Sequence, residues 1–283
     1  MAISDPVSMT SRWVAAARAV ESRRPDRLFN DPYAEVLAGS EGFDFMARMA
    51  SATAMPSLDG TNPENPYIAM RTRFIDDVIL DASLKGTRQI VMVAAGLDTR
   101  AFRLDLPGDT HFFELDREEV LEFKESVLRE AGARATCVRE PIPVDLTTPF
   151  GDALVARGFR PESESLWVVE GLLSYLDEDQ ATEVIRQCAA LAAPGSMLIC
   201  DLPGRSLLET GFVQPLLRTL EAVNAPWKFG TDDPESFFEK LGWHATARRP
   251  GDAGVSYGRW PYPPMPRNTP GIPQSFFVTA VRI

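Results

Sequence analysis

Short apolar runs alternate with longer helical patterns through the middle of the chain, and this alternation constrains the fold more than any other feature. Four runs rich in Leu, Ile and Val predict buried parallel strands, at 89–93, 110–115, 166–169 and 196–200. Helical patterns fill the gaps, at 66–84, 117–130 and 178–191. The sequence therefore predicts an α/β protein with a doubly wound parallel sheet.

The last third of the chain predicts a different ending to this sheet. A short helix is expected from Asp233-Pro234 to about Leu241, and Gly242-Trp243 then leads into a strand. Residues 275–281 predict a final strand that returns antiparallel to its neighbour. Between these two strands, residues 250–273 are rich in Pro and Gly, which predicts an irregular, extended segment.

Composition limits the classes of partner. The chain has 283 residues, 45% of them hydrophobic and 24% charged, with a formal net charge of −11. This length is sufficient for one α/β domain with a helical cap. The acidic balance disfavours a surface that neutralises nucleic-acid phosphates, and equally one that binds an anionic membrane. We therefore expect neither nucleic acid nor membrane as a partner, whereas the net charge says little about a small-molecule substrate.

Cysteine usage and apolar run lengths indicate the compartment. Cys137, Cys188 and Cys200 are odd in number and lack metal-ligand spacing, so we expect free thiols and no metal site. The first residues are polar and acidic where a signal peptide would carry its apolar run. No apolar stretch approaches the roughly 20 residues of a membrane-spanning helix. These features predict a soluble cytoplasmic protein.

Two short strings predict where a cofactor binds. Ala94-Ala95-Gly96 follows the first strand, and its small residues would let a ligand approach the backbone closely. Glu114-Leu115-Asp116 closes the second strand, where an acidic side chain can accept hydrogen bonds from both ribose hydroxyls of a nucleoside. Taken singly, the first string could be a tight turn and the second a helix cap. Together they predict a nucleoside site, but they do not separate NAD from S-adenosylmethionine.

A longer series of strings resembles the leucine carboxyl methyltransferase family, especially its bacterial branch of polyketide O-methyltransferases. The most specific are the strings at 96–100, Gly-Leu-Asp-Thr-Arg, and at 170–176, Glu-Gly-Leu-Leu-Ser-Tyr-Leu. The others follow in family order across nearly the whole chain, at 17–22, 28–34, 70–77, 114–116 and 144–146.

This resemblance implies a Rossmann-like class I methyltransferase, with a seven-stranded, mostly parallel sheet forming one domain over residues 1–283. Residues 1–65 and about 204–230 would form a helical cap. The implied cofactor is S-adenosylmethionine, and the implied activity is O-methylation of a small molecule. Seven residues would hold the cofactor, namely Arg71, Ala94, Gly96, Asp116, Asp145, Leu146 and Glu170.

Each of these residues receives a role from the resemblance. Arg71 would bind the cofactor carboxylate, to which a guanidinium fork is well matched. Ala94 and Gly96 would lie against the methionine portion, and Asp116 would hold the ribose. The adenine would lie between Asp145 and Leu146. Glu170 would face the sulfonium. The alternative interpretations are surface salt bridges for Arg71 and Asp145 and a strand-end cap for Glu170.

Two features of the first specific string need separate treatment. Ala94 stands where eukaryotic members of the family usually have Gly, and its methyl group would narrow the approach to the cofactor. Asp98 and Arg100 belong to the same string, but they could instead form an internal ion pair that shapes the loop. We therefore rank them below Asp116 as candidate ligands.

The methyl acceptor is less constrained. A carboxylate acceptor is already ionised at neutral pH, whereas a phenol with a pKa near ~10 usually needs a base. The only histidines, His111 and His244, fall in predicted strands and are expected to be structural. No catalytic base is therefore assigned, and a carboxylate is favoured over a hydroxyl, although an Asp, Glu or Tyr could serve as base and keeps a hydroxyl acceptor open.

Several aromatic residues in the cap and tail could line an acceptor pocket or simply pack cap onto core. They are Trp13, Phe29, Tyr33, Phe43, Phe45, Phe212, Trp227, Phe229, Tyr257, Trp260 and Tyr262. Arg259 and Arg267 could receive an acceptor carboxylate. Two other functions stay open: a protein C-terminal carboxyl methyltransferase, and a cofactor-binding protein without catalysis.

Overall fold

The computed structural model describes residues 6–53, 65–211, 213–263, 265–267, 269 and 272–283. A seven-stranded sheet runs through this part of the chain, in the order β3-β2-β1-β4-β5-β7-β6. Its strands are β1 Gln89–Val93, β2 His111–Asp116, β3 Val138–Pro143, β4 Leu166–Val169, β5 Met197–Pro203, β6 Trp243–Arg248 and β7 Ser275–Arg282. Phe212, one of the aromatic residues that could line a pocket, lies outside the described residues.

Ten α-helices are assigned among the described residues. They are α1 Pro6–Ser22, α2 Ala34–Thr53, α3 Tyr67–Leu84, α4 Arg100–Arg103, α5 Glu118–Glu130, α6 Gly151–Ala156, α7 Glu178–Leu191, α8 Arg205–Glu209, α9 Gln214–Ala222 and α10 Pro234–Glu239. A single 3₁₀ turn at Leu173–Tyr175 follows β4. No helix within the described ranges combines the length and the apolar character that crossing a membrane requires.

The direction of the strands confirms the predicted mixed sheet. Strands β1 to β5 pair in parallel, and β7 runs antiparallel to both β5 and β6. The bounds of β1 and β4 are those expected from the apolar pattern, whereas β5 extends to Pro203. Only the resemblance implied a further strand near β3, because Arg139, Glu140 and two prolines interrupt its pattern. Proline is tolerated there since β3 lies at the edge of the sheet.

Both faces of the central sheet are buried. In β1 every residue is buried, with Val91 and Val93 in one apolar cluster and Ile90 and Met92 in another. Successive side chains of a strand point to opposite faces, so two core layers on one strand require helices on both sides. Gln89, the polar member of β1, hydrogen bonds through its side chain to the Arg160 backbone at both N–H and C=O.

The strand order positions the site. From β1 the chain proceeds outward through β2 and β3, and then returns to place β4 on the other side of β1. The reversal lies between β1 and β4, and ligands of open α/β sheets bind beyond the carboxyl ends of the strands at such a point. The segments that follow β1 and β4 contain the two most specific strings of the sequence, at 96–100 and 170–176.

Candidate functional site

A cavity of about 1320 Å³ lies at the reversal of the strand order. All seven predicted cofactor residues line it: Arg71, Ala94, Gly96, Asp116, Asp145, Leu146 and Glu170. They come from α3 and from the carboxyl ends of β1, β2, β3 and β4, where parallel strands present their last residues to one edge. The sequence thus predicted residues that the fold brings together, while their individual roles stay predictions.

The loop after β1 has an unusual backbone. Ala94 has φ 62° and Gly96 has φ 48°, so both occupy the left-handed region. Gly adopts this region freely, whereas a non-glycine residue held there costs on the order of 1–3 kcal/mol. The hydrogen bond from Ala95 N to Leu115 O, at 2.9 Å, ties the strained loop to β2. Ala94 therefore carries backbone strain that a glycine at this position would avoid.

Asp116 fastens that loop from the next strand. Its carboxylate accepts hydrogen bonds from Gly96 N at 2.6 Å and from Arg117 N at 2.8 Å. Burial raises the pKa of Asp116 above its ordinary value, because these two donors only partly offset the loss of solvent. The alternative interpretation as a helix cap is wrong, since Arg117 occupies the cap position of α5 and no side chain caps it.

Asp145 and Leu146 lie just past the end of β3. Asp145 is exposed and accepts hydrogen bonds from Thr147 N at 2.9 Å and Thr147 Oγ1 at 2.6 Å. These bonds lower the pKa of the Asp145 carboxyl. Leu146 is half-buried and packs on the core cluster of the sheet. A fixed carboxylate next to an apolar side chain is a suitable pair for a nucleobase edge and ring.

Glu170 is held between two arginines. Its Oε1 lies 2.9 Å from Arg71 Nε, and its Oε2 lies 2.7 Å from Arg100 Nη1. Burial alone would raise the pKa of Glu170, but the charges of Arg100 and Arg71 outweigh it and lower the pKa to about 2. Arg71 is buried, so its interpretation as a surface salt bridge is wrong. The interpretation of Glu170 as a strand-end cap does not apply either, because its carboxylate is paired with the guanidinium groups of Arg71 and Arg100.

Sequence reasoning missed Asp201, at the carboxyl end of β5. Its Oδ2 accepts from Arg71 Nη1 at 2.8 Å and from the Tyr67 hydroxyl at 3.3 Å, and its Oδ1 accepts from Gly171 N at 2.7 Å. Both Asp201 and Tyr67 line the cavity. The rule that strand ends meet at one edge could have found Asp201, because it directly follows the strand predicted at 196–200.

Arg18 of α1 was also missed, although it belongs to one of the family strings. Its Nε lies 2.9 Å from Asp31 Oδ2 and its Nη2 donates to Leu97 O at 2.6 Å. Arg18 lines the cavity, and its positive charge also lowers the pKa of Glu170. Only the tertiary structure places α1 against the loop after β1, so no local signal indicated this position.

The ion pair expected between Asp98 and Arg100 is confirmed. Asp98 also accepts from Arg100 N at 2.8 Å, and Arg100 Nε donates to Asp76 at 2.7 Å. Arg100 is 1% exposed. Its side chain therefore shapes the loop and orients Glu170, rather than reaching a ligand.

Only some of the residues predicted to contact the acceptor line the cavity. Arg259 lines the cavity but lies 3.1 Å from Glu21 Oε1, and Arg267 lies 2.7 Å from Glu235 Oε1, away from the cavity lining. The proposal that Arg267 receives an acceptor is therefore wrong. Trp13, Trp227 and Trp260 line the cavity, whereas Phe29, Phe45 and Phe229 are buried in the core. The remaining described candidates, Tyr33, Phe43, Tyr257 and Tyr262, are absent from the residues that line this cavity.

Fold and site together define a nucleoside-binding α/β protein with a cofactor cavity at its switch point. The model of the leucine carboxyl methyltransferase family matches residues 11–189. The chain belongs to this family.

Relatives and solved structures agree with that assignment. A provisionally named S-adenosyl-L-methionine-dependent methyltransferase of Mycolicibacterium smegmatis is 33% identical over 267 residues, covering 90% of this chain and 89% of the relative. One of the same name from Mycobacterium marinum is 36% identical over 235 residues, covering 80% and 72%.

Two solved structures share the fold. A DUF574 family protein of Streptomyces avermitilis has a TM-score of 0.62 at 16% identity, covering 92% of this chain and 97% of its own. A provisionally named methyltransferase of Thermobifida fusca has a TM-score of 0.59 at 18% identity, covering 91% and 94%. The fold is therefore the Rossmann-like fold of class I methyltransferases.

Proposed function

We propose that this protein is an S-adenosylmethionine-dependent O-methyltransferase that acts on a small-molecule carboxylate or hydroxyl of natural-product type. The observation that carries the proposal is the convergence of all seven predicted cofactor residues on one cavity. S-adenosyl-L-methionine is also the cofactor in the names of relatives that align with 80% and 90% of this chain. Among acceptors, the family resemblance favours polyketide-like molecules.

The residues of the cavity fit this cofactor. Each oxygen of Asp116 accepts one backbone N–H, and a carboxylate offers about four acceptor positions, so capacity remains for two ribose hydroxyls. The Arg71 guanidinium forms ion pairs with Glu170 through Nε and with Asp201 through Nη1, while its Nη2 has no partner among the described residues. A Cβ added to Gly96 would find only Ser11 Cβ nearby, at 3.5 Å, which leaves the loop open to a ligand.

The chain's own residues would therefore position the reaction. Arg71 would bind the cofactor carboxylate, Asp116 the ribose, and Asp145 with Leu146 the adenine. When bound, S-adenosylmethionine supplies a methyl group on a sulfonium, which an acceptor oxygen takes by in-line displacement. Glu170 stays ionised because two arginines hold it, so it presents a fixed negative charge to the sulfonium side. Holding the reacting groups in line is the main catalytic contribution in such a reaction.

The side chains around the reaction side favour an acceptor that is already ionised. Glu170, with a pKa of about 2, is a poor base at neutral pH. Burial raises the pKa of both Tyr67 and Tyr175, so each phenol keeps its proton. His111 and His244 do not line this cavity. These groups would not deprotonate a phenol readily, which supports a carboxylate acceptor over a hydroxyl.

A protein C-terminal carboxyl methyltransferase is the second candidate, and the cavity disfavours it. Three tryptophans, Trp13, Trp227 and Trp260, line the same cavity as the cofactor residues. An aromatic pocket of this kind is typical of small-molecule sites, whereas a peptide tail needs an open groove with backbone partners.

We also propose the cytoplasm as the location of the protein, since Cys137, Cys188 and Cys200 are free thiols.

Calorimetry with S-adenosylmethionine and with NAD is the first test. We expect S-adenosylmethionine to bind and NAD to give no heat of binding. Binding of NAD alone would contradict the proposal. A second step offers tritiated methyl donor to a panel of apolar carboxylates and phenols, and we expect the carboxylates to be labelled. Labelling of C-terminal peptides in preference to small acids would support the protein carboxyl methyltransferase instead.

A further inference from the structure

Part of the cavity is lined by apolar side chains from elements other than those that carry the predicted cofactor residues. We call it the acceptor lobe. Its lining side chains come from α1, α2, α8, α9 and the residues just before and after α9, and none is charged. They are Trp13, Met46, Ala47, Ala50, Ala52, Leu207, Val213, Leu216 and Trp227.

The size of the cavity leaves this lobe free for a second molecule. Small-molecule sites typically measure about 300–1,000 Å³, and the cavity measures about 1320 Å³. The seven predicted cofactor residues come from α3 and from the ends of β1 to β4, and none belongs to the lobe. The cavity can therefore hold the cofactor on the strand ends and a separate acceptor under the cap helices.

The wall of the lobe is a packed apolar cluster. Phe45, Met49 and Leu220 are buried behind it, and Trp13 meets Phe45 edge to face with 6.3 Å between ring centres. Such a wall joins α1, α2 and α9 into one surface. An acceptor that lies on this surface buries apolar area, which favours binding roughly in proportion to the area removed from water.

The lobe is also connected to the reaction side of the cavity. The Tyr175 and Trp227 rings meet edge to face with 6.4 Å between centres, and Lys228 N donates to Ser174 O at 2.6 Å. Ser174 and Tyr175 belong to the turn that follows Glu170. A molecule whose body occupies the lobe can therefore place one end at this turn, on the reaction side of the cavity.

Several charged residues that line the cavity are already paired with other groups. Arg18 and Glu21 of α1 contact Leu97 and Arg259 respectively, and Arg71 contacts Glu170 and Asp201. A second charge on the far end of an acceptor would meet no partner among the lobe residues. Burying an unpaired charge is costly, so the lobe selects against dicarboxylates and zwitterions.

On this basis we propose that the acceptor is a monocarboxylic acid with a long apolar body, and that Ala47 and Ala50 set the length that the lobe admits. The proposal rests on the proposed function and names its substrate class. Ala47 and Ala50 are three residues apart on α2, so they share one face of the helix. Both are exposed and line the lobe, so a larger side chain at either position occupies the space of the acceptor rather than the core.

The test compares butanoate, octanoate and dodecanoate, each below its micellar concentration, in calorimetry and in tritiated methyl transfer. A buried methylene contributes about 0.8 kcal/mol, which is roughly fourfold in affinity. We expect affinity and kcat/KM to rise about fourfold per methylene until the lobe is filled. A sebacate control, with a second carboxylate at the far end, should bind no better than butanoate.

The variant Ala50→Phe tests the position of the acceptor. If the Phe side chain takes the room of two methylenes of the acceptor, the loss corresponds to about sixteenfold in affinity. The kcat/KM for dodecanoate should therefore fall by at least that factor, while the kcat/KM for butanoate stays unchanged. The Kd of S-adenosylmethionine should stay within twofold. Ala156→Phe is the matched control, because Ala156 is an exposed helical alanine outside the cavity lining.

Other results would overturn the inference. Binding and turnover that do not depend on chain length, or equal effects of Ala50→Phe and Ala156→Phe, would exclude an acceptor in the lobe. Preference for dodecanol over dodecanoate would exclude the acid. Failure of the wild-type protein to bind S-adenosylmethionine is a separate outcome, since it contradicts the proposed function itself.

Discussion

Arg71 of α3 and Glu170 at the end of β4 form a buried ion pair, with 2.9 Å between Nε and Oε1. The other oxygen of Glu170 is taken by Arg100, and Arg71 in turn reaches Asp201. Two predicted cofactor residues therefore hold each other in place. Removing either takes one charged partner from the other buried group, so effects on stability and on cofactor binding must be measured separately.

Replacing Glu170 by Gln should destabilise the protein. Arg71 and Arg100 would each lose a charged partner while still buried, which costs about 3 kcal/mol or more. Urea unfolding measures this as a fall in the free energy of unfolding. Asp81→Asn is the control, because the Lys85–Asp81 pair is exposed and should contribute less than about 1 kcal/mol. Equal effects of the two substitutions would show that the buried network does not support the fold.

The stability that Glu170 contributes should depend on pH. The folded-state pKa is about 2 and the ordinary value is 4.5. A depressed carboxyl pKa stabilises the folded state above the unfolded value, and this contribution is lost as the pH falls from about 4.5 towards 2. The difference in unfolding free energy between wild type and Glu170→Gln should therefore be constant from pH 7 to pH 5 and shrink below that. A difference that grows on acidification would contradict the assignment.

Replacing Asp116 by Ala should weaken the binding of S-adenosylmethionine by about 1–3 kcal/mol. The ribose hydroxyls would lose their acceptor, and Gly96 N and Arg117 N would lose theirs as well. Calorimetry measures the change in Kd, and thermal unfolding without cofactor measures the part that is due to the loop. The Kd of the Asp116→Asn variant should lie between those of the wild type and the Ala variant, because Asn keeps one acceptor oxygen. An unchanged Kd in the Ala variant would remove Asp116 from the cofactor site.

Replacing Ala94 by Gly should be neutral or stabilising, by up to about 1 kcal/mol. Ala94 has φ 62°, where Gly is unstrained, although Gly also increases the entropy of the unfolded chain. The reverse substitution, Gly96→Ala, should destabilise, because Gly96 has φ 48°, a backbone conformation that is strained for a residue with a Cβ. Denaturant titration of both variants checks the opposite signs. Destabilisation of both by the same amount would mean that Ala94 carries no strain.

Local patterns in the sequence were sufficient for most of the central sheet. β1 and β4 have the bounds that their apolar runs predicted, because both strands are buried on two faces and read as continuous hydrophobic segments. The helix at 178–191 was equally clear. Asp177 and Gln180 form a capping box at its start, in which each side chain accepts a hydrogen bond from the backbone N–H of the other residue. β3 was not visible in its own residues, since an edge strand can carry charges and prolines.

The candidate site divides in the same way. Asp116 and Glu170 end buried strands, so their convergence follows from the parallel sheet once the strands are recognised. Arg18, by contrast, reaches the loop after β1 only because α1 folds back over it, and Asp201 contacts Arg71 across two elements distant in sequence. Arg267 is the opposite case. The sequence suggested it as a partner of the acceptor, but it pairs with Glu235 of α10 and does not line the cavity.

The sequence by itself determined most of the sheet, the family and the cofactor, and it predicted a set of cofactor residues, because hydrophobic periodicity and strand-end chemistry act over a few neighbouring positions. Only the tertiary structure decided how these residues are paired, which charges are buried together, and how the cap helices enclose an apolar lobe. Ion pairing and cavity shape depend on contacts between residues that are far apart in the chain, so no local pattern encodes them directly. For that reason the cofactor followed from the sequence, while the space for the acceptor emerged from packing.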